Sequence, residues 1–276
     1  MAILVYGPVL LLRELAIRWN LGLKGYILLG LVYGLYNEGL FGRTIFQLQI
    51  ANTAFDHYGI VWHTNLSWTA VIIIFHAFYA FLFPLVIVYT IFPKAAFVPW
   101  LNKKWWVGIS VASFLAISYK FLENTWPVTP LHYVVLIAIM LVLVFLASWF
   151  RSGLACDDKK QRLWLVAYGI IFVIALFTIS AIIATYRIPV LYFLAYCFAV
   201  LLLAVMLLNK KYGIPSLLVF ALSAQLGFSI CAIIVSVTAK STTGAITSSI
   251  LALVFAVALI NRLIAKKTQA DTLTWR

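Results

Sequence analysis

Long apolar runs alternate with short polar connections along nearly the whole chain. The runs cover residues 1–12, 25–36 with a polar continuation to about 46, 66–92, 105–121, 131–150, 163–185, 189–208, 214–237 and 244–264. Most contain about 18 residues or more, the length at which a helix crosses the hydrocarbon core of a bilayer. Because lipid offers no hydrogen bonds to the backbone, such runs predict transmembrane helices. The pattern therefore predicts an all-α, polytopic helix bundle.

The first run leaves the number of spans open. Its 12 residues reach about 18 Å as a helix, which is too short to cross a membrane. Either the helix continues through Arg13, Glu14 and Arg18, which would bring those side chains out at the interface, or the run lies flat on the membrane. We therefore expect eight or nine spans in a single integral membrane domain, residues 1–276. Residues 1–126 carry the polar candidates, and residues 127–276 are mostly apolar helices.

Composition excludes an ordinary soluble domain. Hydrophobic residues make up 65% of the chain and charged residues 10%, whereas soluble domains carry about a quarter charged residues. The net charge of +13 lies mainly in the short connections between the runs. It therefore indicates contact with anionic lipid headgroups on the cytoplasmic side rather than a nucleic-acid partner.

The loop charges predict the orientation. Sixteen Lys and Arg residues fall on one side of the predicted membrane and four on the other. The four are Arg43, Lys120, Arg187 and Lys240. Because short loops rich in Lys and Arg stay in the cytoplasm, the richer side, which includes the C-terminus, is predicted to be cytoplasmic. We expect a multi-pass protein of the plasma membrane.

Two ionisable residues fall within the predicted spans. Glu38 follows the apolar run 25–36, and His76 lies near the middle of run 66–92. At 1.5 Å per residue, Glu38 lies about 20 Å above the cytoplasmic boundary and His76 about 15 Å below the outer one. The two helices are consecutive and antiparallel, so adjacent packing is expected. The sequence does not determine whether the two side chains face each other.

The residues around Glu38 complete the candidate polar site, which comprises Asn37, Glu38, Arg43 and His76. Intramembrane ionisable groups are costly, and they often mark functional sites. Two alternatives stay open. The pair can serve helix packing alone, or the helix can end at Glu38 so that this residue faces the outer aqueous side.

The predicted outer loop offers a weaker metal candidate. Asp56, His57 and His63 lie close together in the sequence, but their spacing does not match a tight zinc motif. We therefore expect no metal and no cofactor.

Two resemblances concern the first part of the chain. Asn37-Glu38-x-x-Phe41-Gly42-Arg43 resembles the first motif of the CPBP family of intramembrane proteases, the relatives of CAAX prenyl proteases. That likeness implies a water-activating role for Glu38 and a second-motif role for His76, although Asn37 stands where the family has a glutamate. The first 95 residues or so, including the segment from Leu29 to Leu35, look like uncharacterised prokaryotic multi-spanning membrane proteins, a family with no known activity.

Three functions compete at this stage. The first is binding or transport of a small solute at a polar site between the second and third helices. The second is a structural or accessory membrane subunit in which the polar residues fix helix packing. The third is a CPBP-like intramembrane protease. The substrate, the reaction and the oligomeric state do not follow from the sequence.

Overall fold

A computed structural model describes residues 2–50, 53–122, 128–154, 164–208, 214–238 and 242–273. Eleven α-helices lie in these ranges. They are α1 (Ala2–Arg18), α2 (Leu23–Leu35), α3 (Leu66–Phe75), α4 (Phe83–Ile91), α5 (Lys103–Leu122), α6 (Pro130–Ala147), α7 (Trp164–Val173), α8 (Ser180–Thr185), α9 (Val190–Leu207), α10 (Ile214–Thr238) and α11 (Thr242–Leu273). The chain is an all-α bundle of the membrane type, apart from one short hairpin in the described part.

Each of the nine apolar runs coincides with a helix or with a pair of helices joined end to end. Within the described ranges, five continuous helices are long and apolar enough to cross a membrane by length and composition. They are Leu66–Ile91, Pro130–Ala147, Trp164–Thr185, Val190–Leu207 and Ile214–Ile233. Helix α1 does continue through Arg13, Glu14 and Arg18. Its 17 residues pack along α5 and α2.

Three π-helical segments interrupt the α-helices. They are Tyr36–Phe41 after α2, His76–Leu82 between α3 and α4, and Ile174–Ile179 between α7 and α8. The second segment ends directly before the Phe83-Pro84 step. Proline cannot donate the regular helical hydrogen bond, and its ring clashes with the carbonyl four residues earlier. Pro84 therefore gives a local reason for the wider turn before it.

The helix formed by α3, the π segment and α4 lies at the centre of the bundle. It packs against α2 on one side and against α9, α10 and the π segment Ile174–Ile179 on others. Helix α2 also packs against α6, and α10 packs against α7 and α11. The central helix thus joins the N-terminal helices to the C-terminal ones.

Two glycines bring α2 very close to the central helix. A Cβ at Gly30 would lie 2.8 Å from the carbonyl oxygen of Ala77, and a Cβ at Gly34 would lie 3.0 Å from the Cα of Ile73. Small residues one turn apart let helix backbones approach each other in membranes. Glu38 follows Gly34 by four residues, so this contact extends directly to the polar site.

A short hairpin precedes the central helix. Strands β1 (Ile60–Val61) and β2 (Thr64–Asn65) pair antiparallel. Their two-residue turn holds Trp62 and His63 at φ values of 47° and 51°. A turn with two left-handed residues matches the natural twist of a hairpin. Asn65 then caps α3, because its side chain accepts a hydrogen bond from the backbone N–H of Trp68.

Candidate functional site

Glu38 and His76 meet inside the bundle. Nε2 of His76 lies 3.2 Å from Oε1 of Glu38, and the two side chains are 12% and 9% exposed. Both residues belong to π-helical segments: the segment of Glu38 packs against α3, and the segment of His76 packs against α2. Single π turns are frequent at functional sites, because they redirect side chains that a regular helix would place elsewhere.

Asn37 and Thr44 satisfy the remaining positions around the carboxylate. Nδ2 of Asn37 donates to Oε1 of Glu38 at 2.7 Å and lies 3.0 Å from Nε2 of His76. The hydroxyl of Thr44 donates to Oε2 of Glu38 and accepts from the indole N–H of Trp68 at 3.2 Å. Three side chains, those of His76, Asn37 and Thr44, therefore converge on one carboxylate, with the Trp68 indole behind Thr44 as a fourth.

The backbone fixes the protonation pattern of His76. Nδ1 of His76 lies 2.9 Å from the carbonyl oxygen of Ile72, which can only accept a hydrogen bond. Nδ1 therefore carries a proton in the neutral and in the charged ring. Consequently Nε2 is the position that gains or loses a proton, and this nitrogen faces Glu38.

Arg43, the fourth predicted site residue, points towards Tyr133 on α6. It adopts a left-handed backbone conformation with a φ of 59°, which ends the π segment and starts the 3₁₀ turn Thr44–Phe46. Its side chain is buried, and the guanidinium carbon lies 5.9 Å from the centre of the Tyr133 ring. The turn at Arg43 brings Thr44 back onto Glu38.

Aromatic rings surround His76. The ring centroids of Phe75 and Tyr33 lie 5.3 and 6.1 Å from that of the imidazole. Phe75 also contacts Phe177 and Phe228, at 5.5 and 5.6 Å between ring centroids. Phe177 belongs to the third π segment. Aromatic side chains of α2 and α3 therefore contact His76, and rings of two further elements pack behind Phe75.

The sequence reasoning missed a second buried charged cluster. Arg13 and Glu14, expected at the interface, are fully buried in the protein. Nη1 of Arg13 lies 2.5 Å from Oε1 of Glu14, and its Nε donates to the Tyr89 hydroxyl at 3.1 Å. The Tyr26 hydroxyl lies 3.3 Å from that of Tyr89. Arg18, the third charged residue expected at the interface, has a substantially exposed side chain.

Residues 92–102, here called the strap, pack over this cluster. The backbone N–H of Trp100 donates to Glu14 at 2.7 Å, and the Arg13 guanidinium lies 3.7 Å from the centre of the Trp100 ring. Arg18 donates to the carbonyl of Leu101 at 3.2 Å. A cavity of about 120 Å³ lies between α1, Tyr26 and the strap. These contacts could not be anticipated from the basic, apolar sequence of the strap.

The structure does not bring the predicted loop residues Asp56, His57 and His63 together into one cluster. Asp56 and His57 form a loose, exposed pair at 3.9 Å. His63 contacts the His132 ring at 6.5 Å between centroids. Among the residues that the structure describes, no group of three or more His, Cys, Asp or Glu side chains is placed to hold a metal ion.

His132 instead fastens the hairpin to α6. Its Nε2–H donates to the carbonyl of Trp62 at 2.8 Å, and its ring stacks on the Trp62 indole at 3.9 Å. Nδ1 accepts from the backbone N–H and the hydroxyl of Thr129, the residue that caps α6. The turn of the hairpin is thereby held at the N-terminus of α6.

The fold and the buried polar pair together define a multi-pass helical membrane protein. The chain belongs to an uncharacterized membrane protein family, whose model matches residues 1–273. No curated protein and no solved structure matches it. The family places the chain in a membrane and leaves its activity open.

Proposed function

We propose that the chain binds or transports a small solute across the plasma membrane, with proton exchange at the Glu38–His76 pair. The observation that carries this proposal is the contact between Nε2 of His76 and Oε1 of Glu38. Because the Ile72 carbonyl reserves Nδ1, the only nitrogen that can exchange a proton is the one that faces the carboxylate.

The pair can hold one proton in two equivalent ways. Either Nε2–H of a charged imidazole donates to the carboxylate, or a protonated Glu38 donates to a neutral Nε2. Both forms are neutral overall, so they limit the cost of burying two ionisable groups. Adding or removing a proton leaves a net charge in the interior. A solute that compensates this charge would be coupled to proton movement.

The proposed topology follows from the loop charges. Eight or nine spans, a cytoplasmic C-terminus and contact with anionic headgroups on that side complete the proposal. The strap then lies on the cytoplasmic side, where Lys94 is exposed within it and Lys103 and Lys104 are exposed directly after it. The Glu38–His76 pair lies between α2 and the central helix, deeper in the membrane.

Proton flux in proteoliposomes tests the proposal. Purified full-length protein is reconstituted with an internal pH dye, and a panel of amines, amino acids, sugars and carboxylates is added outside. We expect at least one class of solute to drive a change in internal pH with the wild type. Glu38→Gln and His76→Ala are expected to reduce the rate at least tenfold.

An exposed pair of the same chemistry supplies the matched control. Asp56→Asn and His57→Gln alter a carboxylate and an imidazole outside the site, and they are expected to keep the wild-type rate. Tryptophan fluorescence and size-exclusion profiles report whether each variant is folded. Unchanged flux in folded Glu38→Gln protein, or the absence of flux for the whole panel, contradicts the proposal and favours an accessory role.

A further inference from the structure

We infer that the solute bound at this site is an organic cation, such as a protonated amine, which takes the place of the imidazolium proton on Glu38. This inference rests on the proposed function and specifies its substrate class. It starts from the contact between Nε2 of His76 and Oε1 of Glu38, in which a protonated imidazole would be an organic cation held by the carboxylate.

The surroundings of His76 are those that recognise organic cations. A carboxylate lies 3.2 Å from Nε2, and the rings of Phe75 and Tyr33 lie within 6.1 Å of the imidazole. The Phe75 ring stands at 84° to the imidazole and the Tyr33 ring at 49°. A cation that lies over an aromatic face within about 6 Å is stabilised, most strongly where water is excluded. The Phe177 and Phe228 rings extend this aromatic wall to the C-terminal half of the chain.

Charge balance favours a cation over an anion. Glu38 receives hydrogen bonds on both oxygens, from Asn37 and from Thr44. A second anion beside this carboxylate would be repelled strongly in a medium of low dielectric constant. A neutral solute would find Asn37 and Thr44 already engaged with Glu38. A cation, in contrast, can take over the contact with Oε1 of Glu38 that Nε2 of His76 now makes.

The exchange balances in protons and charge. Before binding, the imidazolium and the carboxylate form a neutral pair. When the ammonium group binds Glu38, Nε2 of His76 releases its proton, and the ammonium and the carboxylate form the neutral pair instead. The other titratable or charged groups nearby are Tyr33 on α2, Arg43 beside Thr44, and Tyr79, which stacks on Phe75. One proton is therefore released for each cation bound.

Three probes with the same ring test the charge preference directly. Benzylammonium, benzyl alcohol and benzoate share one ring and differ in charge. Binding to the purified full chain is measured by calorimetry at pH 6 in two buffers with different protonation enthalpies, which gives the number of protons released. We expect benzylammonium to bind at least tenfold more tightly than the other two probes, with about one proton released per molecule.

Variants locate the binding. Glu38→Gln is expected to weaken benzylammonium binding at least tenfold, and Glu38→Asp, which keeps the charge, to weaken it less. Phe75→Leu removes one ring and should weaken binding several-fold. Phe145→Leu, at an exposed ring on α6, serves as its control and should not change the affinity.

The failure of this inference can be told apart from the failure of the proposed function. Equal or tighter binding of benzoate or benzyl alcohol, no measurable binding of benzylammonium at millimolar concentration, or binding that persists in Glu38→Gln overturns the cation assignment. If a sugar or a carboxylate drives Glu38-dependent proton flux, the proposed function stands and the cation inference is wrong. If flux is independent of Glu38, both are wrong.

Discussion

Helix α2 lies so close to the central helix at Gly34 that adding a single methyl group there is predicted to move Glu38 and His76 apart. In Gly34→Ala the new Cβ would lie 3.0 Å from both the Cα and the carbonyl oxygen of Ile73, which are backbone atoms. Ordinary contacts between such atoms lie at about 3.5–4.0 Å. The two helices must therefore move apart by roughly 0.5–1 Å at this level.

This displacement is large enough to affect the site. Nε2 of His76 and Oε1 of Glu38 are 3.2 Å apart, and hydrogen bonds between such atoms weaken steeply beyond about 3.2 Å. Adding the displacement brings the separation to about 4 Å, outside hydrogen-bond reach. Overpacking of this kind costs about 1–3 kcal/mol of unfolding free energy.

Gly108→Ala provides the matched control. Gly108 lies on α5, and a Cβ there would meet nothing within 4 Å. Both substitutions gain about 0.5–1 kcal/mol from replacing glycine in a helix. The difference between the two variants therefore isolates the overpacking cost, and we expect Gly34→Ala to be less stable by about 1–3 kcal/mol.

Unfolding in mixed micelles, followed by tryptophan fluorescence, measures the difference in stability. The ¹⁵N chemical shifts of His76 report whether Nε2 keeps its contact with Glu38. Gly34→Ala protein as stable as Gly108→Ala, with unchanged His76 shifts, would refute the reasoning.

Two further predictions concern the buried polar contacts away from the candidate site. Glu14→Gln leaves the fully buried Arg13 without its charge partner, so the free energy of unfolding in micelles should fall by about 3–5 kcal/mol. The double variant Glu14→Gln/Arg13→Leu should recover a substantial part of this loss. Equal losses in the single and double variants would contradict this expectation. His132→Ala removes a hydrogen bond and the contact that orders a helix cap, and should cost about 1–2 kcal/mol and speed amide hydrogen exchange at Trp62. His57→Ala, at an exposed side chain, is the control, and equal exchange in the two variants would argue against the fastening role of His132.

The apolar runs predicted the helices closely because hydrophobic length alone determines where a membrane span can lie. The run 66–92, for example, corresponds to the continuous helix Leu66–Ile91. The sequence also indicated that Glu38 and His76 lie at similar depth, because rise per residue is constant in a helix. Both predictions depend only on distance along the helix axis, which the number of residues determines.

The facing of side chains could not be predicted in the same way. Whether Glu38 meets His76 depends on the rotation of each helix, and both residues lie in π segments, where the regular helical periodicity fails. Thr44 joins the pair only through the left-handed turn at Arg43. The burial of Arg13 and Glu14 depends on the strap, whose Trp100 is 86 residues from Glu14 in the chain.

The π segment His76–Leu82 also determines how the two ends of the central helix are rotated relative to each other about the helix axis. A turn of this kind holds one residue more than an α turn, so all that follows is rotated by about 100° relative to an uninterrupted helix. His76 lies before the extra residue, and Tyr89, which contacts Arg13, lies after it. Converting this segment to regular α-helix with all its residues kept would swing Tyr89 away from Arg13 while His76 kept its direction, whereas deleting the extra residue would preserve both directions. The rotational phase of this one helix therefore couples the geometry of two polar networks that share no residue.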